Sequence, residues 1–147
     1  MKLAEKGRYA PPPHLPVHAQ AVSQALAKWP GVHARTHWLL GDENEIDGAD
    51  FYLGERELGH IHLHGEAHIA VPAAVRKALI ASGLAKPFHF NPGFVVYRIA
   101  TAADVAPAKA LFQLAYDHLQ GVSSAELVAR CVALASKPVV LTAPPET

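Results

Sequence analysis

The chain has 147 residues and a mass of 15.7 kDa, half of it hydrophobic, which is enough for one domain with a core and too little for two. Thirteen Lys and Arg balance thirteen Asp and Glu, so the chain is not built for generic electrostatic capture of nucleic acid or acidic lipid, which needs a concentrated basic surface. A single Cys excludes an intrachain disulfide framework and a CxxC zinc site, while ten His and twelve Pro are unusually many.

Residues 1–15 are expected to form an irregular arm, because Pro11-Pro12-Pro13 favours extended geometry and donates no backbone hydrogen bonds. The charges in Met1 to Arg8 interrupt any signal-peptide core, and no segment approaches the roughly 20 apolar residues of a spanning helix. A soluble, cytoplasmic protein with no membrane partner is the expectation. From Pro16, the residues Val17, Ala21, Val22, Ala25, Leu26 and Trp29 fall at helical spacing, and Pro30-Gly31 ends the helix. Val32 to Leu39 alternates with the period of a half-buried strand. Gly41 to Glu45 reads as a polar, acidic turn.

Short apolar runs separated by glycine follow: Ala49 to Leu53, Glu57 to His64, and His68 to Val71. They predict an antiparallel meander. Pro72 opens a helix with Val75, Leu79 and Ile80 on one face and Gly83 at its C-cap. Phe94 to Ile99 is a further strand. Asp104 is the expected N-cap of a helix burying Val105, Ala108, Leu111, Phe112, Ala115 and Leu119. Ser123 or Ser124 starts the last helix, with Leu127, Val128, Cys131 and Leu134 inward; Cys131 reads as a packing residue. The pattern predicts one α+β domain over residues 16–136. It has a single antiparallel sheet of about five strands, with three to four helices mainly on one face. Residues 137–147 read as a loose tail in which Val139 to Leu141 could add an edge strand.

Gly59-His60-Ile61-His62-Leu63-His64-Gly65-Glu66-Ala67-His68-Ile69-Ala70-Val71 carries the most chemical information. Residues two apart on a strand share a face. A three-residue loop at Gly65-Glu66-Ala67 sets His64 against His68 and Leu63 against Ile69, with every His on one side and every apolar residue on the other. The same alternation places His33, Arg35, His37 and Arg98 on the His side. A three-residue loop at Gly54-Glu55-Arg56, the favoured choice, adds Tyr52 to it, whereas a two-residue loop would add Phe51.

Such a face admits three readings: a solvated sheet surface, a site for a small or anionic ligand, or a metal site. For a metal, His64 and His68 across the turn are the expected pair and His62 the third ligand. The stretch lacks the carboxylate spacing of a known metal motif, so weak Zn²⁺ or Ni²⁺ binding and no required cofactor are expected. Asp50 and Glu57 could orient a His, and imidazoles titrate in the range suited to acid–base work.

Gly54-Glu55-Arg56-Glu57-Leu58-Gly59-His60-Ile61-His62 resembles the "luciferase domain" family of small bacterial and fungal proteins, with its Gly-x-Arg-x-Leu-Gly-His-x-His core. The likeness continues through Ile69 to Pro72, Val75-Arg76, Leu79, Gly83 to Ala85, Pro87 to His89, Gly93 to Val95 and Leu111 to Tyr116, and covers roughly residues 30–120. His68 stands where the family more often has an acidic residue, and Phe94 replaces a usual Trp. The resemblance implies a compact α+β domain of unassigned reaction and does not imply light emission. It makes His60, His62, Arg76 and His89 candidate ligand-binding residues, to which the strand alternation adds Arg98. A small-molecule-binding or catalytic domain is the leading expectation. The alternative is a non-enzymatic interaction or homo-oligomerisation module using the same face, with the helix at 123–136 as a further contact. Nucleic-acid binding is disfavoured by few Lys and sparse stacking platforms.

Overall fold

The computed structural model describes residues 11–39 and 42–136, apart from the side chains of 42–44. The chain runs through α1 (Val17–Ala27), β1 (Val32–Leu39), β2 (Asp42–Leu53), β3 (Arg56–His62), β4 (Glu66–Ala70), α2 (Ala73–Ala81), β5 (Lys86–Pro87), β6 (Phe94–Arg98), α3 (Val105–Leu119) and α4 (Ser124–Ser136). The six strands form one antiparallel sheet in the order β1-β2-β3-β4-β6-β5. One strand more than expected comes from Lys86–Pro87, a two-residue edge piece beside β6.

The core lies between this sheet and the helices. Ala49, Phe51, Ile61, Ala67, Ile69 and Val95 project from one sheet face and are fully buried. From the helices they meet Leu26, Val75, Leu79, Phe112 and Leu127, also buried. The Phe51 and Phe112 rings pack edge to face at 5.9 Å. Cys131 is buried in α4, as its place in the helical pattern implied, and burial pushes its thiol pKa up.

Several local expectations need correction. In α1 the inward residues are Ala19, Val22, Ser23 and Leu26, while Val17 is 73 % exposed; Leu15, from the arm before the helix, fills the space instead. The acidic residues from Asp42 onward belong to β2 rather than to a turn. Asp104 is the N-cap residue of α3 as expected, but its side chain makes no cap bond there; it closes a capping box one turn earlier with Thr101, its carboxylate accepting the Ala100 and Thr101 N–H groups at 2.8 Å. The arm before residue 11, the tail from 137 and the Val139–Leu141 strand lie outside the described residues.

The register of the central hairpin also differs. His60 pairs with His68 and Ile61 with Ala67, so β3 ends at His62. Leu63 and His64 are therefore exposed turn residues, not paired ones. The slip from the expected register is four residues. Because an even slip keeps side-chain parity, His60, His62 and His68 still share a face, and Ile61, Ile69 and Val71 remain buried.

Candidate functional site

The sheet face opposite the helices carries His37 from β1, Asp47 and Asp50 from β2, Glu57, His60 and His62 from β3, and Glu66 and His68 from β4. Two glycines let these strands approach. Gly48 lies between His37 and His62 in the pairing, and a Cβ there would meet the Ile61 carbonyl oxygen at 2.1 Å. Gly59 sits at a bulge where Leu58 is inserted, with φ +152 and a Cβ position 2.4 Å from the His68 carbonyl oxygen. The bulge brings Glu57 and His60 to one face although they are three apart in sequence.

It also resolves the preceding turn. The loop is two residues, Gly54-Glu55, since Leu53 pairs with Arg56. Alternation alone would then have placed Phe51 on the His side. The inserted Leu58 restores parity, so Phe51 is buried in the core and Tyr52 lies on the His face. There Arg35 stacks over the Tyr52 ring at 4.1 Å and donates to the Gly54 carbonyl at 3.4 Å.

Each imidazole has a carboxylate neighbour. His60 Nδ1 is 2.8 Å from Glu57, His62 Nδ1 is 2.9 Å from Asp47, His68 Nε2 is 3.0 Å from Glu66, and His37 Nδ1 is 2.9 Å from Asp50. The nitrogens left over face one another. His68 Nδ1 lies 3.2 Å from His60 Nε2 and 3.4 Å from His62 Nε2. The His37 and His60 rings stack at 4.0 Å. An ionised carboxylate only accepts hydrogen bonds, so each partnered nitrogen carries the N–H and fixes its ring's tautomer.

The electrostatics follow from this mixture. Burial drives the His62 pKa down to about 4; the Asp47 charge opposes that, and the neighbouring imidazoles reinforce it. His68 is lowered by burial and by His60, against the pull of Glu66. For His37, burial acts downward, but the hydrogen bond and charge of Asp50, with the charges of Asp47 and Glu57, move it up. Burial raises Asp50 in spite of His37. Burial also opposes ionisation of Glu57, yet the hydrogen bond from His60 and its charge bring the pKa down, and His68 does the same for Glu66.

An aromatic border closes one side. Phe88 lies against His68 at 4.3 Å and Phe94 near His60 at 5.7 Å. Phe90, 5.7 Å from Phe88, is 90 % exposed.

Of the residues singled out in the sequence, the fold brings His60, His62 and His68 together. His64 stands in the turn, its ring 5.7 Å from that of His62; the direct His64–His68 pair does not form, because the three-residue turn lies two residues earlier than expected, at Leu63-His64-Gly65. Arg98 is on the same face as Glu66, its register partner, and lines a cleft of about 300 Å³ with Lys86, Val96 and Tyr97, beside the imidazoles rather than over them. Arg76 donates from α2 to the Phe94 carbonyl at 3.4 Å, and His89 is exposed in the loop between Phe88 and Phe90. The carboxylates that seemed missing are present. Asp50 and Glu57 could be suspected from the sequence; Asp47 and Glu66, read as outside the strands or in a loop, could not. The signal for the bulge was Gly59 itself, a glycine inside a strand pattern.

Fold and face together define a small α+β domain with one layer of helices and an open His–carboxylate sheet surface. Residues 55–115, which include β3, β4 and most of α3, match the family model described as Luciferase domain. Over this stretch the chain is similar to that family, the one its Gly-x-Arg-x-Leu-Gly-His-x-His motif resembles. No curated protein and no solved structure matches the chain. No helix among the described residues is long and apolar enough to cross a membrane.

Proposed function

We propose that the His–carboxylate face binds a small molecule and performs proton transfer on it. The observation that carries this reading is the pairing of every central imidazole with its own carboxylate, which holds ring orientation and tautomer as general acid–base work requires. His60 and His62 are the groups placed to touch the ligand, and Phe88 and Phe94 would flank an apolar part of it. Four carboxylates on the face favour a neutral or cationic ligand over an anionic one. Arg76 and Arg98, the guanidinium groups first considered for an anion, stand at the Phe94 backbone and in the neighbouring cleft.

Ligand-observed NMR with a mixed library of neutral, cationic and anionic fragments tests this. Binders should shift the His60, His62 and His68 imidazole signals and lose binding in a folded His60→Gln, His62→Gln variant. Hits that map elsewhere, or that survive the double substitution, would refute it. The second reading is a protein–protein contact through the same face, favoured by the exposed Phe90; a monomer–dimer equilibrium abolished by Phe90→Ser would support it.

A further inference from the structure

The carboxylates leave the centre of the face with an unusual surplus. If Glu57, Asp47 and Glu66 each accept the N–H of the imidazole beside them, the remaining nitrogens are all lone-pair acceptors: Nε2 of His60, Nε2 of His62 and Nδ1 of His68. His68 Nδ1 meets the other two at 3.2 and 3.4 Å with no hydrogen to share. Converging lone pairs at that range repel unless a cation stands among them.

We propose that His60, His62 and His68 bind one divalent transition-metal ion of borderline softness, with Zn²⁺ as the probe, leaving a coordination position open to the small ligand. The inference deepens the reading above and rests on the same face. Zn–N bonds of about 2.0–2.1 Å in tetrahedral geometry put ligand nitrogens about 3.3–3.4 Å apart, and the two contacts at His68 match that spacing. The three ring centroids lie 5.0, 5.0 and 4.5 Å apart, with His68 Nδ1 as the atom that the other two nitrogens approach. Each also donates its other N–H to a carboxylate, the outer contact that orients imidazole ligands and raises their basicity. Neutral imidazole is the donor that zinc and its neighbours prefer.

His37 is the competing third ligand, since it offers a ligand atom within 4.8 Å of those of His60 and His62. Both of its nitrogens, however, face carboxylates: Nδ1 lies 2.9 Å from Asp50 and Nε2 3.7 Å from Asp47. His37 is assigned instead as the ring stacked on His60 that holds it in place. Leu63 and His64, in the turn, stand outside the triad.

Calorimetric titration of the metal-stripped full chain with ZnCl₂ tests the assignment. One Zn²⁺ per chain is expected, with affinity falling about 10- to 100-fold in Glu57→Gln. Binding should disappear in His60→Gln, His68→Gln and stay unchanged in His64→Ala. Because a substituted core strand can misfold, the same titration is followed on the unsubstituted chain by imidazole ¹⁵N NMR. His60 Nε2, His62 Nε2 and His68 Nδ1 should move on saturation while His33 and His64 do not. Absence of zinc binding, binding that follows His64, or saturation that leaves the three nitrogens unmoved would overturn the assignment. Fragments that bind a zinc-blind face would sink the ion alone; zinc binding on a face that takes no fragment would sink the small-molecule reading and leave the ion.

Discussion

Glu57 and His60 meet at 2.8 Å on one face of β3, although residues three apart on a regular strand point to opposite faces. The contact exists because Leu58 is inserted opposite the β2 pairing and Gly59 takes up the resulting backbone conformation. Gly59→Ala should therefore act twice. The added Cβ would strain the positive φ and strike the His68 carbonyl and the Phe112 ring, at a cost of about 2–4 kcal/mol. Urea denaturation measures this; a loss within a few tenths of a kcal/mol would contradict the bulge.

Much of this face was readable from alternation alone. His60, His62 and His68 were grouped correctly because the hairpin register, though mistaken, was wrong by an even number of residues. Turn position is where the reading failed: nothing local in Leu63-His64-Gly65 distinguishes a turn from a strand end, and keeping apolar residues on one side does not choose between registers an even number of residues apart. Tyr52 was placed on the right face through a loop of the wrong length, since the bulge made up the difference. Asp47 and Glu66 were missed for another reason. A carboxylate in a polar stretch looks solvated until long-range pairing sets it against an imidazole.

Phe112 seals the underside of the site, beneath Gly59 and against Phe51. Phe112→Ala should cost about 3–5 kcal/mol, the usual range for emptying a buried aromatic position. A denaturation midpoint close to that of the unsubstituted chain would show that the helices do not pack as described.

Acid should destabilise the metal-free protein. His62 and His68 have folded-state pKa values below the ordinary value of 6.5, so below that pH the unfolded chain binds more protons. Their stabilisation is complete above about pH 6.5 and is lost as pH falls toward 4. For His62 the ceiling is about 3 kcal/mol. Glu57 and Glu66, held low by their His partners, extend the loss below the ordinary carboxylate range. His37 acts with the opposite sign, since its raised pKa gives stability that is present below 6.5 and lost as pH rises through its folded value. Calorimetric melting between pH 7.5 and 4 should show a falling Tm that His62→Gln makes shallower. A flat profile would contradict the clustering.

Glu57→Gln should leave the fold intact and free the His60 ring to exchange tautomers, because an amide can either donate or accept at the same place. The expected sign is an averaged His60 ¹⁵N pattern, with a melting temperature lowered by a few degrees at most as the ionised Glu57 contact is lost. A His60 pattern identical to that of the unsubstituted chain would show that Glu57 does not set the tautomer.

The arrangement of lone pairs at the centre of the face is what the proton-transfer and metal readings share. Long-range ¹H–¹⁵N NMR of the metal-free chain at pH 7.5 observes it directly, since protonated and bare ring nitrogens resonate far apart. His60 and His62 should carry their proton at Nδ1 and His68 at Nε2, each toward its carboxylate. A proton found at Nε2 of His60 or His62, or at Nδ1 of His68, would mean that the imidazoles hydrogen-bond to one another, and the converging acceptors would not exist.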